Sequence, residues 1–206
     1  MRVVPNLYPA FERQEVVVHS PRHVRTFAEL TDEEVAAVAH AWESRRGDGG
    51  GYVHACVNEG LAAGSSLPHS HSQLVWLPEP PPAVASEHAD AIQELWVPRH
   101  DFIVARRGPM LAVVHQAGRL PYESVISTGT AEFDLAAALA LLRELIRRLR
   151  AVEGPVPWNA WLHDGPIPHI ELVPRLSILA GVELGAGIYV NTVAPEDAAA
   201  ALRAAV

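Results

Sequence analysis

The chain has 206 residues, 49% of them apolar and 19% charged, with a formal net charge of −8. That mixture excludes a disordered chain and is long enough for one large domain or two small modules, while the acidic balance excludes a general nucleic-acid binder. Lysine is absent, so a polyanionic ligand must be met by arginines, backbone amides or a metal, and the single Cys56 has no disulfide partner within the chain.

From the amino end, Asn6-Leu7-Tyr8-Pro9 is a turn-like segment, and Glu15–His19 is a β-branched run ended by Ser20-Pro21. Thr31-Asp32-Glu33-Glu34 carries a capping-box signature, and Val35, Val38, Ala39 and Trp42 keep helical spacing to about Arg46. Tyr52–Val57, which holds Cys56, and Gln73–Leu77 are expected as paired strands flanking a small-residue loop. Pro78–Pro82 is a stiff connector. Beyond it the pattern predicts a helix over Ser86–Leu95 and strands over Phe102–Ala105, Met110–His115 and Tyr122–Ser127. A long helix follows over Glu132–Val152, with Leu135, Leu139, Leu142, Leu145, Ile146 and Leu149 on one face. Arg147, Arg148 and Arg150 fall in its last turns, where they suit the helix dipole. Trp158–Leu162, His169–Val173 and Ile188–Thr192 are further strand candidates, and Pro195–Ala205 is a terminal helix with proline in its first turn. No apolar run reaches membrane-spanning length and Met1–Pro5 does not open a signal peptide, so the expected setting is cytoplasmic.

The stretch that carries chemistry is Asn58–Trp76. On a strand, side chains alternate between faces, so His69, His71 and Gln73 are expected to share one face. Just upstream, Gly60–Ser66 is a glycine-serine loop whose amides and hydroxyls suit an anion. Two histidines at this spacing also occur on ordinary strand faces; the loop before them and the glutamine after them favour phosphoryl chemistry. A weak internal repeat adds to this: Pro68-His69-Ser70-His71-Ser72-Gln73-Leu74-Val75 compares with Pro166-Ile167-Pro168-His169-Ile170-Glu171-Leu172-Val173.

Asn58, Gly60, Gly64, Ser66, Pro68, His69, His71 and Gln73 together resemble the active-site segment of the galactose-1-phosphate uridylyltransferase family, a branch of the histidine triad superfamily. The resemblance implies an α+β fold of two tandem histidine-triad-like modules, 1–82 with the HxHxQ site and 83–206. Mostly antiparallel sheets, each with a long helix packed on it, would form one compact domain. It implies His71 as nucleophile and Gln73 as its phosphate-binding partner. Asn6 and Tyr8 would hold the nucleotide, and Asn58, Gly64, Ser65 and Ser66 would line the phosphate region. A carboxamide does not titrate, so Gln73 suits transfer to a phosphate acceptor better than release to water.

The same resemblance implies metals. Zinc in some members is held by a cysteine pair, a histidine after a Ser-Pro turn and the first histidine of HxHxQ. His23 and His69 match the two histidines, but the cysteine pair would fall ahead of Met1, and two ligands do not complete a tetrahedral site. A second site, for iron, zinc or manganese, matches Glu87, His163 and His169, with Glu171 where a further histidine is expected. The other histidines, His19, His40, His54, His88, His100 and His115, are read as incidental.

The expected activity is nucleotidyl transfer between a nucleotide sugar and a sugar 1-phosphate through a covalent nucleotidyl-histidine, as in galactose metabolism, by a homodimer. The alternatives are a dinucleoside polyphosphate or ADP-sugar phosphorylase, and a non-catalytic nucleotide- or metal-binding module.

Overall fold

The computed structural model describes residues 1–48, 50–87 and 100–205. Among the described residues, nine strands form a single sheet in the order β1-β2-β4-β3-β8-β9-β7-β6-β5, with every pairing antiparallel. They are β1 (Arg2–Pro5), β2 (Gln14–Val18), β3 (Tyr52–Glu59), β4 (His71–Leu77), β5 (Ile103–Arg107), β6 (Met110–Val114), β7 (Ser124–Ser127), β8 (Trp158–His163) and β9 (His169–Pro174). The helices are α1 (Asp32–Arg46), a short α2 (Pro82–Ala85), α3 (Leu135–Glu153), α4 (Gly181–Ala186) and α5 (Pro195–Ala204).

Local chemistry accounts for the main elements. Thr31 Oγ1 accepts from the Glu34 amide while the Glu34 carboxylate accepts from the Thr31 amide, which satisfies two orphan donors at the start of α1. Asp134 caps α3 in the same way through the Ala137 amide, and the apolar stripe of α3 is buried along its length. The two long helices pack on each other and join one hydrophobic core with Val17, Val57, Leu74, Leu162, Ile170 and Leu172 of the strands. On β4, Leu74 and Ser72 face that core, where Trp42 Nε1 donates to Ser72 Oγ at 2.9 Å. His71 and Gln73 therefore face the opposite side of the sheet.

Two expectations about elements change. Ile188–Thr192 is irregular, and Asn191 there donates to the Gly118 and Leu120 carbonyls instead of pairing in the sheet. His69 lies ahead of β4 in a bend, not on the strand with His71. The helix expected over Ser86–Leu95 falls largely outside the described residues.

Strands β3 and β8 meet at the middle of the sheet, where Asn58 pairs with Asn159 in register. Two element orders, β2-α1-β3-β4 and β7-α3-β8-β9, run outward from that seam. No helix is long and apolar enough to cross a membrane among the described residues.

Candidate functional site

His71 opens β4 with only 6% of its surface exposed. Its Nδ1 lies 2.8 Å from the His69 carbonyl oxygen. A carbonyl only accepts, so Nδ1 carries the proton and the lone pair resides on Nε2. The ring is thereby prepared as a nucleophile in one tautomer. It lines a cavity of about 560 Å³ together with Asn58, Gly60, Ser65, Ser66 and His69. Gly60 holds φ +88°, and a Cβ there would sit 2.9 Å from Pro157 Cβ, so the loop that leaves β3 can pass only with glycine at this point. Ser65 Oγ donates to the Leu67 carbonyl and shapes the loop.

Gln73 and Asn58 each meet a second amide. Gln14 Nε2 donates to Gln73 Oε1 at 2.6 Å, and Asn159 Nδ2 donates to Asn58 Oδ1 at 2.7 Å. Gln14 is a diagonal neighbour of Gln73 across the β2–β4 pair, whose register sets Val16 opposite Gln73. Neither Gln14 nor Asn159 stands out in the sequence as a site residue.

Not every expected residue joins this group. Asn6 Oδ1 accepts from the Tyr8 amide in a tight turn, Tyr8 is 85% exposed, and neither lines the cavity. Gly64 is the left-handed cap of a 3-10 turn behind the loop. His23 and His69 have ring centroids 6.0 Å apart, but both ring nitrogens of His69 rest against carbonyl oxygens, of Ser70 at 3.1 Å and Arg22 at 2.9 Å. These two histidines belong to no cluster of three or more metal-ligating groups among the described residues. Arg147 and Arg148 lie outside this group: they donate to the Ala28, Leu30 and Leu202 carbonyls and brace the helix against its neighbours.

At the far end of β8, on the same face of the sheet as Gln73, lies a second group. His163 ends β8 directly opposite His169 at the start of β9, and Glu171 is two residues along the same strand. With Glu87, their ligand atoms all lie within 4.8 Å of one another. Glu87 Oε1 is 2.5 Å from His163 Nδ1 and 3.7 Å from His169 Nε2, while Glu171 Oε1 is 3.5 Å from His163 and 3.7 Å from His169. Burial opposes charge on His169 and Glu171, yet their mutual contact prevails, raising the histidine and lowering the carboxyl. Glu87 Oε2 is buried without a hydrogen-bond partner among the described residues, and a Cβ on Gly165 would come within 2.9 Å of it. A convergent set of two imidazoles and two carboxylates with one orphaned oxygen fits a divalent cation.

Sequence reasoning missed what orients this cluster. Arg119 Nη2 donates to Glu171 Oε2 at 2.9 Å and also grips Glu123, a carboxylate only 2% exposed that further accepts from the Arg119 and Leu120 amides. Glu171 therefore turns Oε1 alone toward the histidines. Half-buried Cys56 stays a thiol, pushed up to about 11 by burial.

Comparison with known proteins places these features in context. Residues 9–81 match the family described as Galactose-1-phosphate uridyl transferase, N-terminal domain. The chain is 26% identical to an ADP-glucose phosphorylase from Arabidopsis thaliana, over 98% of this chain and 74% of that protein. Among solved structures, a galt-like protein from Arabidopsis thaliana superposes with TM-score 0.87 at 25% identity, covering 100% of this chain and 83% of the other. A uridylyltransferase does so with TM-score 0.83 at 25% identity, covering 99% and 84%.

Proposed function

We propose that this chain, whose residues 9–81 match the N-terminal domain of the galactose-1-phosphate uridyl transferase family, is a nucleotidyltransferase working by double displacement on a nucleotide sugar. His71 Nε2 attacks the α-phosphorus, the bond from that phosphorus to the bridging oxygen breaks, and the sugar 1-phosphate leaves with the electron pair. An acceptor phosphate oxygen then attacks the same phosphorus, the P–N bond breaks and His71 is regenerated. Gln73, Asn58 and Ser66 meet the charge on the phosphoryl oxygens, with Ser65 shaping the loop that carries Ser66, since such transfer depends chiefly on positioning and electrostatics. The observation that carries this reading is the His71 Nδ1 contact with the His69 carbonyl, which reserves Nε2 for attack.

We favour inorganic phosphate as the acceptor and an ADP-sugar as the donor, supported by the likeness to ADP-glucose phosphorylase along nearly the whole chain. The second reading, uridylyl transfer to a hexose 1-phosphate, draws on the family match over 9–81. Intact mass after mixing the protein with ADP-glucose or UDP-glucose separates them. An added adenylyl mass that phosphate discharges supports the first, an added uridylyl mass discharged by hexose 1-phosphate the second, and no adduct with either sinks both.

In the same reading Glu87, His163, His169 and Glu171 would hold a divalent cation, zinc or iron, which would supply a fixed positive charge at that cluster. The two element orders about the β3–β8 seam are two histidine-triad-like modules, the first carrying the nucleophile. The protein works as a cytoplasmic homodimer, for which the exposed Ile178, Leu184, Ile188 and Tyr189 offer apolar surface.

A further inference from the structure

An amide side chain has a donor end and an acceptor end, and which end faces a ligand decides whether it attracts or repels a phosphate oxygen. Backbone groups settle this question here. The Ala10 N–H can only donate, and it meets Gln14 at 3.0 Å, so that end of Gln14 is Oε1. The other end of Gln14 is then its NH₂, which donates to Gln73 and makes the near end of Gln73 its carbonyl oxygen. Gln73 is left with its NH₂ unpartnered among the described residues. The same logic runs in the opposite sense at the seam. The Ala63 carbonyl can only accept, and Asn159 meets it through Nδ2 at 2.8 Å. The same NH₂ donates to Asn58 Oδ1, so Asn58 also keeps its own NH₂ unpartnered among the described residues.

We propose that Gln14 and Asn159 are positioning residues that set the polarity of the phosphate site, each turning the donor end of a contacting amide toward the ligand. The inference rests on the reading that Gln73 and Asn58 meet phosphoryl oxygens. Neither residue needs to touch substrate. Each removes the flipped state, in which a carbonyl oxygen would face the anion. A donor held in this way requires no reorganisation as charge develops.

The decisive variant is Gln14→Glu, which is nearly isosteric. A carboxylate accepts from Ala10 N–H as before but has no hydrogen to give Gln73. Gln73 must then rotate its NH₂ toward residue 14 and present its oxygen to the phosphate. We expect the rate of adduct formation from saturating ADP-glucose to fall about 100-fold at pH 8, and to recover as the pH is lowered through the carboxyl's range, where a protonated residue 14 donates again. Gln14→His, which keeps a donor, should retain most of the rate, and Gln14→Met should fall between. The readout is single-turnover adduct formation by intact mass, with melting temperature followed for each variant.

An unchanged rate in Gln14→Glu, or a loss with no recovery at low pH while the wild type keeps its rate there, overturns the relay. Should Gln14→Glu fail to fold, Gln14→Met against Gln14→His decides the matter, since equal rates in those two leave no role for the donor. Absence of adduct in the wild type overturns the parent reading, and the relay with it. Adduct in the wild type with indifference to residue 14 overturns the relay alone.

Discussion

Two stretches of this sheet, His71–Val75 and His169–Val173, have nearly the same local build and opposite surroundings. Each strand begins with a histidine whose Nδ1 meets the carbonyl two residues back, that of His69 in one and Ile167 in the other. Each carries a polar residue two positions on, followed by a leucine turned into the core. The difference lies in the neighbours. His71 opens on a cavity beside a glycine-serine loop, and Gln73 is steered by a neutral amide. His169 faces His163 and Glu87, and Glu171 is steered by a guanidinium. One backbone arrangement thus frees Nε2 in both places; the surroundings turn it toward a cavity in one and toward a histidine and two carboxylates in the other.

The largest effect should come from exchanging the two histidines' fates. His71→Ala is expected to abolish the nucleotidyl adduct and lower turnover by at least about 10⁴-fold, whereas His169→Ala should still form the adduct on mixing with ADP-glucose. Labelling of His71→Ala at the wild-type level would break the comparison.

Next in size is the partner two residues on. Gln73→Ala should raise the barrier by about 2.7–4 kcal/mol, as loss of one preorganised donor does elsewhere, with the change in kcat and not in KM. Glu171→Gln should leave kcat for adduct formation within a few-fold of wild type. A pair of steady-state titrations checks both.

The cation cluster supplies the third contrast. Zinc at about 100 times its Kd should stabilise the fold by about 2.7 kcal/mol, raising the melting temperature by roughly 5–10 °C. Gly165→Ala, whose Cβ would press on the Glu87 carboxylate, should erase most of that shift, while Gln73→Ala keeps it. Equal shifts in both variants would remove metal binding from the second site.

The smallest effect concerns what pins each strand's start. Ser70 Oγ meets the fully buried His19 at 2.9 Å, whereas the matching position in the second stretch, Pro168, only accepts from Ser127 Oγ. Burial, with repulsion from His71 and His69 behind it, pushes His19 down to about 3 from its ordinary 6.5. Unfolded, it takes a proton below 6.5; folded, it does not until about 3. The stability it lends is therefore complete above 6.5 and drains away as the pH falls toward 3, amounting to about 1.4 kcal/mol lost at pH 5.5. Urea midpoints at pH 7.5 and 5.5 should show this loss in the wild type and a shallower one in His19→Gln.

Much of this was legible in the residues alone. The capping box at Thr31, the apolar stripe of α3 and the alternation on β3, β4, β8 and β9 are local patterns, and local patterns place local elements. The HxHxQ motif named His71 and Gln73, and the repeat pointed to His169 and Glu171 as their counterparts. What escaped notice were residues whose partners lie far along the chain. Gln14 reaches Gln73 across 59 positions and Asn159 reaches Asn58 across 101. Arg119 finds Glu171 52 positions away. An isolated glutamine, asparagine or arginine carries no periodicity to mark it. Ile188–Thr192 was misread for a related reason: its β-branched residues suit a strand, but the Asn191 side chain is spent on the 118–120 turn.

The order of residues alone determined most of the segments that become strands and helices, Ile188–Thr192 excepted, because side-chain alternation and capping act within a few positions. It also determined which ring nitrogen of His71 keeps its lone pair, because the histidine and the carbonyl two residues back are close in the chain. Register between distant strands decided the rest: which end of the Gln73 and Asn58 amides is left free, and which Glu171 oxygen faces His163 and His169. A hydrogen bond has a direction, and that direction is set only when donor and acceptor meet across the sheet.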